Sequence, residues 1–275
     1  MFYTSHGISI FIKKNFRRIN PEKKTIFFLH GFGGSSGDWQ DVFSLLGSDF
    51  QLIALDLPGF GKSSKPRSDD FYKVDFLVQL IDEILIKFTL HDVVLTGYSM
   101  GGRLALHCAI NNPTRIKALI LESASAGIKT LPEREARRKS DAELISFIEE
   151  NSLNDFFSHW QNQPLFNSQK KLPLEERCAI FLKKVKHNSK IGLANSLKNF
   201  GQGSVENVWQ KLPKITLPVL LLSGSLDSKY SSLQNEMAEL LPNSTHKIID
   251  DAGHNLHLEK PTDFVNLIRD FLQIF

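Results

Sequence analysis

The stretch Val93-Val94-Leu95-Thr96-Gly97-Tyr98-Ser99-Met100-Gly101-Gly102-Arg103 constrains the fold more than any other part of the chain. A β-branched apolar run, typical of a strand buried on both faces, breaks at a glycine, presents a serine and continues into a helical pattern from Arg103 to Asn111. Gly97, Ser99 and Gly101 fit G-x-S-x-G, whose glycines permit a turn tight enough to hold the serine hydroxyl above the end of a strand. The five-residue pattern is short. Its specificity comes from its setting between a buried parallel strand and a helix.

The rest of the chain supplies the layers such a turn needs. Ile8 to Ile12 reads as a first strand with Phe16 to Asn20 as its partner, and Thr25-Ile26-Phe27-Phe28-Leu29 is a continuous apolar run. That run empties into the glycine-rich loop His30 to Trp39, followed by a helix to Leu46 and a second apolar strand, Gln51 to Leu55. Asp75 to Phe88 carries apolar residues at helical spacing, and Ala118 to Glu122 is the next strand. The alternation stops at residue 129 and resumes with the strand Pro218 to Ser223, a helix at Leu233 to Leu241, a strand at His246 to Ile249 and a closing helix from Pro261 to Phe275. Alternating strands and helices argue for an α/β fold with a mostly parallel central sheet and helices on both faces. The expected division is a core of residues 1–128 and 211–275, with residues 129–210 inserted as a helical lid. Between residues 129 and 190 that lid carries twelve basic and nine acidic side chains, which suits an anionic ligand beneath it.

Composition narrows the function classes. A net charge of +3 with no basic face gives no support to nucleic-acid binding, and no stretch approaches membrane-spanning length. Cys108 and Cys178 are the only cysteines, too few for a disulfide framework, and no secretory leader is legible in Met1 to Lys24, so a cytoplasmic location is expected. The nine histidines are scattered without ligand spacing, so no metal site is expected. Gly61-Lys62-Ser63 ends like a phosphate-binding loop, but the first glycine of that motif would fall at Asp56. Asp56, Pro58 and Gly59 are read as residues that shape the loop.

A serine hydroxyl needs an imidazole to take its proton, and the imidazole needs an acid to fix its tautomer. In α/β-hydrolases these follow the serine in the order acid, then histidine, each on a loop after a strand. Asp227 and His254 meet both conditions, and the loop after Leu29 stands where such folds supply one oxyanion donor, so the backbone N–H groups of Phe32 and Met100 are the candidates. Glu122 is a competing acid, Asp250 and Asp251 lie too near His254 in sequence, and His257 is expected to face outward.

These residues resemble a known family. Gly97 to Arg103, His159-Trp160 followed by Pro164-Leu165-Phe166, Asn199 to Ser204, Gly224 to Tyr230 and Ala252 to Asn255 are together similar to the 2-succinyl-6-hydroxy-2,4-cyclohexadiene-1-carboxylate synthases of menaquinone biosynthesis. The resemblance runs from about Phe27 to the C-terminus. It implies an α/β-hydrolase fold and a cofactor-free lyase that eliminates pyruvate from a small anionic substrate, with Ser99 acting as a base. It further implies that Arg103 and Arg137 bind substrate carboxylates, with Arg134 and Arg138 as alternatives to Arg137, while Tyr98 and Trp160 line the pocket. Lys186 stands where the family commonly has another lid arginine, keeping the charge without the two-pronged geometry. Nothing in the sequence calls for an oligomer, and a monomer is expected. A serine hydrolase acting on an ester or carbon-carbon bond is the alternative, and a catalytically silent binding protein of the same fold is a third.

Overall fold

The computed structural model describes residues 1–274. Eight strands form one sheet in the order β1-β2-β4-β3-β5-β6-β7-β8. These are β1 (Phe2–Ser5), β2 (Ile8–Lys14), β3 (Thr25–Leu29), β4 (Gln51–Leu55), β5 (Val93–Tyr98), β6 (Ile116–Glu122), β7 (Val219–Gly224) and β8 (Ser244–Ile249). From β4 to β8 every pairing is parallel, while β1 with β2 and β2 with β4 are antiparallel. The expectation of a strand at Phe16 to Asn20 is overturned. Ile8–Lys14 pairs instead with Phe2–Ser5 across a two-residue turn, His6 and Gly7, whose φ values of 48° and 79° match the twist of a hairpin.

Strands β3, β4, β5 and β7 are buried along their whole length, as a sheet covered on both faces requires. Alternate residues serve opposite layers. Ile26 and Phe28 pack with α1 (Gln40–Leu46) on one face, while Phe27 and Leu29 pack with α2 (Val74–Lys87) and α3 (Met100–Asn111) on the other. Between β6 and β7 lie α4 (Leu131–Glu150), α5 (Leu153–Gln161), α6 (Leu174–His187) and α7 (Lys190–Phe200). Ile148, Phe156, Phe157, Leu193 and Phe200 from these helices are fully buried and join the core layer of α2 and α3. The chain closes with α8 (Ser228–Leu240), the short α9 (Leu256–Glu259) and α10 (Pro261–Leu272), which packs beside α1. No helix among the described residues is long and apolar enough to cross a membrane.

The loop after β4 is organised by Asp56, whose carboxylate accepts hydrogen bonds from the N–H groups of Ser36 (2.6 Å) and Lys62 (2.6 Å). A Cβ on Gly61 would stand 2.0 Å from that carboxylate. The loop is thus filled by its own acid where a phosphate-binding loop would hold an anion.

Candidate active site

Ser99 sits between the end of β5 and the start of α3 with φ 50° and ψ −105°. A non-glycine residue held there costs on the order of 1–3 kcal/mol and must be fixed by its surroundings. Its N–H donates to the Glu122 carbonyl (2.8 Å) and its carbonyl accepts from the Arg103 N–H (3.0 Å). The turn also depends on close backbone approach. A Cβ on Gly97 would lie 2.4 Å from the Gly101 carbonyl oxygen, and one on Gly101 would lie 2.2 Å from that of Leu29. The G-x-S-x-G spacing therefore reflects backbone packing of the turn against the end of β3.

Two later loops meet this serine. Asp227 follows β7 and His254 follows β8, and parallel pairing of those strands brings the loops side by side. A Cβ on Gly224 would stand 2.2 Å from the Ala252 carbonyl oxygen, so the acid's loop packs directly on the backbone before His254. His254 Nδ1 lies 2.6 Å from Asp227 Oδ2, and His254 Nε2 lies 3.1 Å from Ser99 Oγ. A carboxylate oxygen only accepts, so Nδ1 carries the proton and Nε2 is left to accept from the serine hydroxyl. The ring is buried against Tyr230, with centroids 4.4 Å apart, and against Tyr98 at 5.4 Å.

Phe32 lies on the loop after β3, and Met100 is the first residue of α3. Neither backbone N–H has a hydrogen-bond partner among the described residues, and both residues line the same cavity as Ser99. The loop that presents Phe32 is held by His30, whose Nε2 accepts from the Leu57 N–H (3.0 Å) while Nδ1 donates to the Gly31 carbonyl (2.7 Å). Burial keeps His30 neutral by pushing its pKa down. Gly31 is required here because a Cβ would stand 2.6 Å from the Tyr98 ring.

The cavity has a volume of about 750 Å³ and is roofed by α4 to α7. Tyr98, Arg103, Arg137 and Trp160 all line it. Arg103 is 4% exposed, donates from Nη2 to the Phe200 carbonyl (2.8 Å), and has no carboxylate within 4 Å among the described residues. Its Nε has no partner among the described residues, and burial brings its pKa down to about 10. Arg137, half-buried, spends its Nε on Asp141 (2.7 Å) and its Nη1 on Gln202 (3.2 Å). Trp160 packs on Phe32 at 5.1 Å, which ties the roof to the glycine loop.

Lys186 is not brought to the site. It is exposed and lies outside the cavity lining, whereas Lys183 and Lys184 of the same helix line it. Lys183 Nζ pairs with Asp38 (2.9 Å). Lys184 Nζ makes no hydrogen bond or ion pair among the described residues, and burial lowers its pKa. Of these lysines, Lys184 lines the cavity without a hydrogen-bond or ion-pair partner among the described residues, and Lys186 does not line it. Two residues along a helix turn a side chain through roughly 200°, enough to exchange the inner face for the outer one.

His257 corrects a second expectation. It does not face outward but is 2% exposed, with Nδ1 2.7 Å from Glu122 Oε2 and its ring stacked on Trp39 at 4.0 Å. Glu122 thus pairs with this histidine and not with His254.

Comparison with known proteins places the chain in a family. The α/β hydrolase fold family matches residues 24–261. A Bacillus subtilis protein assigned as a 2-succinyl-6-hydroxy-2,4-cyclohexadiene-1-carboxylate synthase is 39% identical over 90% of each chain. The synthase of that name from Citrobacter koseri is 31% identical over 92% of this chain and 96% of its own. The solved structure of MenH from S. aureus superposes with a TM-score of 0.90 at 34% identity, covering 95% of this chain and 97% of the other. On these grounds the chain belongs to the α/β-hydrolase fold and, within it, to the 2-succinyl-6-hydroxy-2,4-cyclohexadiene-1-carboxylate synthase family.

Proposed function

We propose that this protein eliminates pyruvate from 2-succinyl-5-enolpyruvyl-6-hydroxy-3-cyclohexene-1-carboxylate, giving the 2,4-cyclohexadiene of menaquinone biosynthesis. The observation that carries the reading is Arg103, a buried guanidinium with no carboxylate within 4 Å among the described residues, lining the same cavity as Ser99 and His254. A buried cation with donors to spare favours an anionic ligand, and an uncharged ester offers it no charge.

The chemistry follows from the positions of the double bonds. Substrate carries one at C3 and product has two, at C2 and C4, so a proton leaves C2 and the enolpyruvyl oxygen leaves C5. His254 Nε2 takes the Ser99 hydroxyl proton, and the serine oxygen takes the proton from C2. The released pair forms the C2–C3 double bond, the C3–C4 pair shifts to C4–C5, and the C5–O bond breaks. The departing enolate recovers a proton from the imidazolium side and becomes pyruvate. Because C2 bears the succinyl ketone, negative charge gathers on that carbonyl oxygen as the proton leaves. The free N–H groups of Phe32 and Met100 are suited to receive it, and such donors are often the largest electrostatic contribution in this kind of site. Asp227 holds the imidazole tautomer and stabilises its cation.

Three substrate carboxylates need cations, and Arg103, Arg137 and Lys184 supply them, with Arg137 oriented by Asp141. Helices α4 to α7 act as a lid over the bound ligand. Cys108 and Cys178 are both free, which suits a reducing cytoplasm, and the active unit is a monomer. The test is an assay of purified protein with the enolpyruvyl substrate. Pyruvate release should match the rise of conjugated-diene absorbance, and Ser99→Ala should slow it by several orders of magnitude with the fold intact. Brisk cleavage of p-nitrophenyl esters with no pyruvate release would select the hydrolase reading.

A further inference from the structure

Two histidine–carboxylate pairs stand side by side below the cavity floor, and only one of them touches Ser99. The second, Glu122 with His257, ties the Ser99 turn to the loop of His254. Glu122 ends β6 directly beside Tyr98 in the sheet register and is fully buried. Its backbone carbonyl accepts from the Ser99 N–H (2.8 Å). Its carboxylate accepts twice from His257, from the backbone N–H (3.1 Å) and from Nδ1 (2.7 Å). One residue therefore grips the serine turn with its main chain and the histidine loop with its side chain.

His257 is three residues beyond His254, within the single turn of α9, and that turn is rigid. Asn255 caps it by accepting from the Leu258 N–H (3.2 Å), and Glu259 accepts from the N–H groups of Gly253 (2.8 Å) and Asn255 (3.3 Å) on either side of His254. The His257 ring is clamped between Trp39 at 4.0 Å and the edge of Tyr98 at 5.1 Å. A displacement of His257 is thus transmitted to His254 through a short, hydrogen-bonded segment, while Ser99 stays with Glu122.

We infer that Glu122 is a positioning residue, which sets the separation of His254 Nε2 from Ser99 Oγ by fixing His257. The inference rests on the reading of Ser99, His254 and Asp227 as the catalytic group. Glutamine at 122 keeps the shape and one acceptor but presents an N–H to His257, which either faces a donor or drives the ring into its other tautomer. Glu122→Gln should lower kcat 10- to 100-fold with KM nearly unchanged, and should move or broaden the downfield proton resonance of the His254–Asp227 hydrogen bond. His257→Asn, whose amide can reproduce the Nδ1 donor, should retain kcat within a fewfold, and His257→Ala should lose it as Glu122→Gln does. Thermal unfolding of each variant separates these effects from stability. Equal kcat in wild type, Glu122→Gln and His257→Ala, with only melting temperature altered, would overturn the inference. Should Glu122→Gln not fold, the contrast between His257→Asn and His257→Ala decides it in the same way. If Ser99→Ala turns over normally, the catalytic reading itself fails; if Ser99→Ala is inactive and these variants are not, only the positioning role does.

Discussion

Replacing Arg103 by methionine separates binding from structure, because the two roles predict effects of different size on different observables. The side chain is 4% exposed, and a pKa lowered from 12.5 to about 10 means that holding the cation in the folded protein costs about 3 kcal/mol. Against this stand one charge-assisted hydrogen bond to the Phe200 carbonyl and a stack on the Phe200 ring at 5.1 Å, together worth about 2–4 kcal/mol. The two sides nearly cancel. Arg103→Met should therefore change stability by no more than about 1 kcal/mol, which is a shift of about 2–4 °C in Tm for a chain of this size. Catalysis should respond far more, since losing one partner of a buried charge pair with substrate costs about 2–5 kcal/mol. At 1.4 kcal/mol per decade, kcat/KM should fall by a factor of about 30 to 4000. Steady-state pyruvate release and thermal unfolding on the same preparation measure both, and added succinate should raise the Tm of wild type but not of the variant. A Tm fall near 10 °C with kcat/KM unchanged would make Arg103 a structural ion and remove the main support for an anionic substrate.

Other substitutions probe the roof, the turn and the acid limit. Lys184→Met should raise KM for the enolpyruvyl substrate by about 10-fold or more, from the loss of a half-buried charge contact, whereas Lys186→Met should stay within twofold; the reverse order in steady-state kinetics would restore Lys186 to the site. Gly101→Ala forces a Cβ to within 2.2 Å of the Leu29 carbonyl, so soluble yield and circular dichroism should show loss of the folded state, and a native melting curve would refute the close-packed turn. His107 is 5% exposed, its Nε2 has no partner among the described residues, and its pKa is brought down to about 4, chiefly by burial. Its folded pKa lies below its unfolded value, so the unfolded chain binds the extra proton and stability is lost as pH falls from 6.5 through 4, by up to about 3 kcal/mol. His107→Leu should flatten that limb in urea titrations between pH 7 and 4, and an unchanged slope would show that His107 does not titrate with unfolding.

Much of the core was legible because steric requirements write themselves locally. Gly97 and Gly101 are explained by backbone contacts that leave no room for a Cβ, and the continuous apolar runs of β3, β4, β5 and β7 state that both faces of the sheet are covered. The order serine, aspartate, histidine is legible for the same reason, since each follows a strand of one parallel sheet and parallel strands present their loops at one end. Pairings made across long sequence separations were not. His257 looks like a surface residue until Glu122, 135 positions away, is placed against it. Burying a polar side chain depends on a partner that local pattern does not name.

Helix α6 shows why the inward face of the roof resists sequence reading. A helix on a hydrophobic core turns its apolar side inward, and that periodicity identifies α2. Helix α6 turns both kinds of side chain inward, with Ala179 and Ile180 lining the cavity and Phe181 and Val185 packed against the core beside its lysines. Lys183 and Lys184 face the cavity, while Leu174 and Leu182 are 69% and 63% exposed. With lysines at 183, 184 and 186, every choice of inward face offers a cation, so charge alone does not distinguish them. The discriminating contacts lie on the loop that presents Phe32. Lys183 pairs with Asp38, and Asn188, just beyond the helix, donates to the Gly33 carbonyl at 3.0 Å. These two bonds fix the rotation of α6 about its axis and thereby select Lys184 over Lys186. The register of the roof is set by the same loop that presents a candidate oxyanion donor, so substitutions at Asp38 or Asn188 should alter KM through Lys184 without touching the Ser99–His254–Asp227 geometry.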